Sequence, residues 1–315
     1  MHNGWACGQP ERARRRFGHG SVVRPASVPP QLRADVFRGV DAVHAGLLTR
    51  RQLQGPTWRR LFRGVYVHAG VEVTHELRAA AACLLLPEAL VTGRSAAVIW
   101  GVPLAETWDD VELTVLPSAH PCRLPGVRVR RAQLPAEHRW RRAGVQVTTP
   151  EATAVGLAGC LEGDDAVIAV DQMVASGIVD LGPVRALART QRGPRSARAR
   201  AVCALADGLA GSPQETRLRL LIHRSGLPVP VAQHRVMVGD REVARPDFAW
   251  PDRKVAVEYD GLWHAEPGQF AKDRARLNRL REAGWTVVFV TAADMHRPAE
   301  LIARIAAALA ASLCG

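Results

Sequence analysis

The stretch that most constrains the fold is residues 245 to 264, RPDFAWPDRKVAVEYDGLWH. Two short runs of alternating apolar and polar residues flank Pro251-Asp252, a proline-led pair that favours a turn, and the pattern predicts a β-hairpin. With Pro251 and Asp252 at the turn centre, Trp250 faces Arg253 and Asp247 faces Ala256. Glu258 then stands diagonally across from Asp247 on one side of the sheet, and Asp260 follows on that side. The opposite side collects Phe248, Trp250, Val255, Val257 and Tyr259, an apolar face that a sheet can bury. Three carboxylates on one face repel each other. The pattern implies either an acidic face screened by water and counter-ions or a divalent cation between the carboxylates, and hard oxygen ligands suit Mg2+.

Downstream, residues 268 to 283 place Phe270, Leu277 and Leu280 on one helical stripe, Gly284 stops the helix, and Trp285 to Val290 reads as a strand. Upstream, Ser212-Pro213-Gln214-Glu215 opens a helix with Leu218, Leu221 and Ile222 on one face that ends at Gly226. Val231 to Val238 then alternates toward a Gly239-Asp240 turn. The order from residue 212 is α-β-β-β-α-β-α.

That order, together with Pro246-Asp247-Phe248, Glu258-Tyr259-Asp260-Gly261, Asp273-Arg274 and Ala283-Gly284-Trp285, resembles the DUF559 group of the PD-(D/E)XK nuclease superfamily, relatives of the very short patch repair endonucleases. The resemblance implies a restriction-endonuclease-like fold and Mg2+ (or Mn2+) held by Asp247 and Glu258. A metal bridging a phosphate oxygen and a water would activate that water for phosphodiester hydrolysis. The family places a lysine two residues after the glutamate, where this chain has Asp260. The lysine's role would then fall to Lys254 on the same face of the same strand, to an arginine, or to a second metal held partly by Asp260. His264 resembles a histidine that acts near the site as a general base or water ligand. Glu215 has two readings: a capping residue with Ser212, or the glutamate that the superfamily often carries on its first helix. Asp273 shares the stripe of Phe270 and Leu277. It would either pair with Arg245 or Arg276 or orient the site.

Forty-two basic residues against thirty acidic ones give a formal charge of +12, and only Lys254 and Lys272 are lysines. Residues 1 to 75 hold twelve arginines and four acidic residues, so most of the positive field belongs to the N-terminus. The six cysteines, Cys7, Cys83, Cys122, Cys160, Cys203 and Cys314, show no C-x-x-C spacing. That argues against a structural zinc and a disulfide framework, and predicts reduced thiols. No segment reaches the roughly 18 apolar residues of a membrane span, so a soluble cytoplasmic protein is expected.

Residues 1 to 30 mix Gly, Pro and Arg without periodicity and read as disordered. Short helices follow over Val36 to Gly46, Leu47 to Leu53 and Thr57 to Phe62, closing on Arg63-Gly64-Val65-Tyr66-Val67. This run resembles the winged-helix N-terminal domain of AbiEi-type antitoxins. Thr49 would cap the second helix. Arg50, Arg51, Arg59 and Arg60 would face phosphates or base edges, although few residues remain for a recognition helix. A small helical packing module with a solvated arginine face is the competing reading.

The middle piece reads as helices at His75 to Leu86, Ser95 to Trp100, Glu151 to Leu161 and Asp164 to Ser176, with strands at Val111 to Leu116 and Val127 to Arg131. It carries no catalytic constellation, and His75, His120 and His138 each stand alone in the sequence. Between Arg185 and Ala206, six arginines occur without an acid, which reads as a basic connector.

The expected organisation is therefore α/β and multidomain: disordered residues 1–30, a degenerate winged helix over 31–75, an α/β middle domain over 76–184, an Arg-rich connector over 185–211 and a nuclease-like domain over 212–315. Two functions follow, a Mg2+-dependent DNA endonuclease or a non-catalytic DNA-binding regulator of antitoxin type on a degenerate nuclease fold. Either way DNA is the expected partner, with a toxin or regulatory protein as a further one. Neither a membrane nor a small-molecule cofactor is called for.

Overall fold

The computed structural model describes residues 28–120, 123–260 and 278–312. After a 3-10 turn at Pro30–Leu32, β1 (Phe37–Arg38) leads into α1 (Gly39–His44), α2 (Arg50–Leu53) and the hairpin of β2 (Trp58–Phe62) and β3 (Val65–His68). The three strands form an antiparallel sheet in the order β1-β3-β2. Thr49 caps α2 through a capping box: its Oγ1 accepts from the Gln52 N–H at 3.2 Å, and Gln52 Oε1 accepts from the Thr49 N–H at 2.7 Å. One face of the sheet carries Phe37, Trp58 and Tyr66, with Phe37 edge-on to Trp58 at 5.1 Å, packed over Ala42, Leu48 and Leu53. The segment Thr57 to Phe62, expected as a helix, is the edge strand β2. As a strand, Trp58 and Phe62 gain both a ladder and burial by pairing with β3.

Next come α3 (His75–Leu85), β4 (Leu90–Val91), α4 (Gly93–Ile99), β5 (Val111–Val115), β6 (Val127–Arg131), β7 (Arg139–Arg142) and β8 (Val145–Thr148). The strands make a mixed sheet in the order β6-β5-β4-β8-β7, with β5/β6 and β4/β8 parallel. Val91, Val111, Leu113 and Val147 bury against Ala79, Ala82 and Ala96 of the two helices. Phe62 and Val65 of the N-terminal hairpin join the same core. His75 is a packing residue here. Its Nδ1 lies 2.9 Å from the Glu106 carbonyl and so carries the proton, while its Nε2 accepts from the Ser95 hydroxyl at 2.7 Å.

A helical layer follows: α5 (Pro150–Cys160), α6 (Gly163–Ala175), α7 (Leu181–Thr190), α8 (Ser196–Leu205) and α9 (Pro213–Arg224). Leu157, Val170, Met173, Val184, Val202 and Leu220 share its core. The expected connector over 185–211 is therefore not a linker. Arg189, Arg198 and Arg200 lie on the exposed sides of α7 and α8, whose inner faces bury Ala188, Ala199 and Cys203. Asp171 on α6 is fully buried. It accepts from Thr216 Oγ1 at 2.9 Å, from Arg219 Nη2 at 2.7 Å and from the backbone N–H groups of Asp207 and Gly208 at 2.9 and 3.0 Å.

The C-terminal part comprises β9 (Val231–Ala232), β10 (Val236–Val238), β11 (Arg241–Ala244), β12 (Phe248–Trp250), β13 (Val255–Tyr259), β14 (Thr286–Val290), α10 (Ala292–Met295) and α11 (Pro298–Ala311). Its sheet runs β14-β13-β12-β9, antiparallel except for β13 beside β14, and β10 and β11 form a separate hairpin over the Gly239-Asp240 turn. Phe248, Trp250, Val255 and Val257 pack with Leu218 and Ile222 of α9 and with Leu301 and Ile305 of α11. The chain is thus a mixed α/β protein of several sheets and helical layers, in which α9 belongs to two cores. Among the described residues, no helix is long and apolar enough to cross a membrane. The expectation of disorder over residues 1 to 30 falls almost entirely outside the described residues.

Two outcomes follow from these buried polar groups. Burial lowers the His75 pKa below its usual 6.5, so the unfolded chain takes up a proton before the folded one does. Its contribution to stability is complete above pH 6.5 and is lost as pH falls below that value. The melting temperature of the wild type should drop more steeply between pH 7 and pH 5 than that of His75→Gln, and parallel curves would contradict this. Asp171→Ala leaves Arg219 Nη2, the Thr216 hydroxyl and two backbone N–H groups without this acceptor, and should cost about 3–5 kcal/mol in urea unfolding. A loss below about 1 kcal/mol would show that water replaces the carboxylate.

Candidate functional site

The hairpin that organises the C-terminal part is built differently from the expected one. Pro251–Arg253 forms a 3-10 turn, and Lys254 adopts a left-handed conformation (φ 49°) before β13 begins. The loop is thereby two residues longer than a tight turn, and the pairs are Trp250 with Val255, Ala249 with Ala256 and Phe248 with Val257. Continued by one step, this register sets Asp247 directly opposite Glu258, on the same side of the sheet, instead of diagonally across. The apolar face is the expected one. The other face is not a solvated acidic surface, because Ala249 and Ala256 are buried there against Val236, Ala244, Leu280 and Trp285. Only its far end carries carboxylates. Glu258 is itself buried, at 5% exposure.

Around that end the backbone is closely tied. Asp247 Oδ2 accepts from the Tyr259 N–H at 2.8 Å, and the Asp247 carbonyl accepts from the Gln233 N–H at 2.9 Å. Gln233 sits just after β9 at φ 52°, and its Nε2 donates to Glu215 Oε2 at 3.4 Å. Glu215 makes the contacts of a helix-start residue. Ser212 Oγ accepts from its N–H at 3.2 Å, while its carboxylate reaches back past Ser212 to the Gly211 N–H at 2.8 Å. Gln233 is the residue that sequence reasoning missed. The break between β9 and β10 was its only signal.

Two expected members stand apart. Lys254 precedes the strand and does not lie on it. Its Nζ lies beside Gly284, and at about 3.3 Å per residue it starts about 13 Å along the strand from Glu258. Asp260 is exposed beyond the end of β13, where its N–H donates to the Val290 carbonyl at 2.7 Å. Among the described residues, no group of three or more His, Cys, Asp or Glu side chains is arranged to hold a metal ion. The three-carboxylate set of Asp247, Glu258 and Asp260 is therefore not assembled as expected, and the described residues do not by themselves make a Mg2+ or Mn2+ cage. His264 and Asp273 lie outside the described residues.

The N-terminal arginines are all exposed, but they do not form one group. Arg50 and Arg51 lie on α2. Arg60 pairs with Tyr66 across the β2/β3 ladder, on the face that also carries Trp58 and Phe37 and packs on α1 and α2. Arg59 pairs with Val67 and points to the opposite face, where its Nη2 donates to the Ala69 carbonyl at 3.4 Å. Arg50, Arg51 and Arg60 thus share a side, and Arg59 does not. Among the described residues, none of the four pairs with a carboxylate.

A family model for the AbiEi antitoxin C-terminal domain matches residues 114–205, from within β5 to the end of α8. Two proteins from Mycobacterium tuberculosis are similar to this chain: "Uncharacterized protein MT2308" of strain CDC 1551 / Oshkosh and "Uncharacterized protein Rv2248" of strain H37Rv. Each is 36% identical over 191 residues, which span 58% of this chain and 70% of the relative. A solved structure, the RV2827C protein from the same species, aligns at 15% identity with a TM-score of 0.38, over 58% of this chain and 75% of that one. By its identity to MT2308 and Rv2248 the chain belongs to their family, and within it residues 114–205 match the AbiEi antitoxin C-terminal domain.

Proposed function

We propose that the protein is a DNA-binding regulator of antitoxin type, non-catalytic, with a nuclease-like fold retained in its C-terminal part as a scaffold. The observation that carries this reading is the AbiEi antitoxin domain match over 114–205, joined through a shared core to an N-terminal hairpin unit with exposed, unpaired arginines. A guanidinium without a carboxylate partner is available to phosphate, and phosphate contacts set affinity and orientation on a duplex. The protein partner of such a regulator is a toxin or another protein under its control. The test is a fluorescence titration of duplex DNA across salt. Each phosphate neutralised contributes about 0.9 to the slope of log K against log salt, so replacing Arg50, Arg51 and Arg60 together with Gln should flatten the slope by up to about 3 units. Arg59→Gln should leave it nearly unchanged. A slope that the triple variant does not alter would end the assignment of DNA binding to this unit.

One observation favours a second reading, phosphodiester hydrolysis: the register that sets Asp247 opposite Glu258, with Glu215 linked to them through Gln233. Calorimetry with Mg2+ or Mn2+ discriminates the two. Binding that Asp247→Asn abolishes, together with nicking of plasmid DNA, would favour the hydrolase. Absence of binding heat in the wild type leaves the regulator.

A further inference from the structure

The sheet of the middle unit has one face against α3 and α4, and its other face lies beneath α5 and α7 around a cleft of about 400 Å3. Sites for small molecules typically span about 300–1,000 Å3. Thr114 rises from the sheet as its floor, while Leu157 and Leu187 form an apolar wall. At its mouth two arginines from distant segments converge on one thiol. Arg130 Nη1 on β6 lies 3.6 Å from Cys160 Sγ, and Arg195 Nη1, from the residue preceding α8, lies 3.3 Å from it. Among the described residues, neither arginine pairs with a carboxylate. Glu112 lies elsewhere along the cleft, and its own contacts are with Arg94 and Arg128.

Two backbone features border the cleft, and at the first of them Arg195 also packs against Gly159 of α5. Arg195 holds a left-handed conformation at φ 71°, which is unfavourable for a residue with a side chain, and in doing so it presents its guanidinium to the mouth. Gly156 sits in the interior of α5, where glycine weakens a helix relative to alanine. A Cβ there would meet no atom within 4 Å, so no neighbour demands its absence. Gly156 lines the cleft. Two like charges that no carboxylate pairs with, a missing side chain and an apolar wall describe a place for a ligand with a negative head and an apolar body.

We propose that this cleft binds a small organic anion, with a phosphate or carboxylate head held by Arg130 and Arg195 and an apolar or aromatic body lying along Leu157 and Leu187 past Gly156. Cys160 then stands beside the head group as a natural reporter of occupancy. Guanidinium suits this role, because its planar fork matches both phosphate and carboxylate oxygens.

The probe is 8-anilinonaphthalene-1-sulfonate, an aromatic anion that fluoresces in apolar surroundings, used with the full chain. The wild type should bind it saturably, and bound probe should slow iodoacetamide alkylation of Cys160, read by peptide mass spectrometry. Peptide mass spectrometry separates Cys160 from the five other cysteines, and burial pushes the Cys83 and Cys203 thiols up to about 11. Arg195→Gly relieves the backbone and removes the guanidinium, so the variant should fold at least as stably while binding the probe about tenfold more weakly. Gly156→Leu improves helix propensity and fills the cleft, and should abolish protection of Cys160. Displacement of the probe by adenosine monophosphate assigns a phosphate head, and displacement by decanoate a carboxylate. Displacement by neither, or equal probe binding in the wild type and both variants, overturns the proposal.

Discussion

The interaction on which the layout of the chain depends is the buried Asp171 carboxylate. A charge removed from water is tolerable only when donors surround it, and Asp171 has four: two backbone N–H groups in the turn after α8, the Thr216 hydroxyl and the Arg219 guanidinium. The donors come from both sides of the expected domain boundary. They lock α9 onto α6, and Arg217 with Asp165 and Arg224 with Asp164 extend the seam outward. Those outer pairs are partly exposed and contribute little, whereas the inner one sets the register. Asp207 stands beside Arg219, and burial raises its pKa. Because Leu220 of α9 belongs to the helical core while Leu218 and Ile222 belong to the C-terminal sheet, the orientation of α9 on α6 is transmitted directly to that sheet.

The same reasoning explains the C-terminal hairpin. Both faces of β12 and β13 are covered, one by α9 and α11, the other by Val236, Leu280 and Trp285. Strands covered on both sides place no premium on polar alternation in their middle, and Ala249 and Ala256 supply it with small apolar residues. Carboxylates stand only beyond that apolar middle, at the Asp247 and Glu258 end, where Glu258 is still buried and the backbone N–H of Tyr259 occupies one Asp247 oxygen.

Much of this was legible in the sequence, for identifiable reasons. The helices α3, α5 and α6 and the strands β5 and β6 agree with the sequence to within a residue or two, because their apolar periodicity is clear and Val111 to Val115 is a buried run. The arginine-rich segment misled because charge was read before periodicity. Val184 with Ala188, and Ala199 with Val202 and Cys203, already stood at helical spacing on a buried stripe. β7 was invisible for a different reason: Arg139 to Arg142 is exposed at every position, so this edge strand left no apolar pattern to read. The hairpin's composition was right and its register wrong, since a loop longer by two residues preserves which face is apolar while sliding Asp247 from Ala256 to Glu258. Gln233 had no signal beyond a broken alternation, because its role arises from a positive φ and partners far away in sequence.

The arginine content itself needs a physical reading before it can be connected with nucleic acid. Much of it is structural. Arg78 gathers the carbonyls of Thr107, Asp109 and Gly126, and Arg185 gathers those of Cys203, Ala204 and Ala206 at the end of α8. Five donors in a rigid fork make guanidinium well suited to carbonyls that a helix end or a loop leaves without partners, and a lysine could not span three of them. Guanidinium groups used in this way are half-buried and have their donors committed, so they are not free to grip a phosphate. What matters for binding is the remainder, the exposed arginines with neither carboxylate nor carbonyl cluster to satisfy them. By that criterion Arg50, Arg51 and Arg60 form one such group, and Arg130 with Arg195 forms another, separate in place and in the ligand it suits.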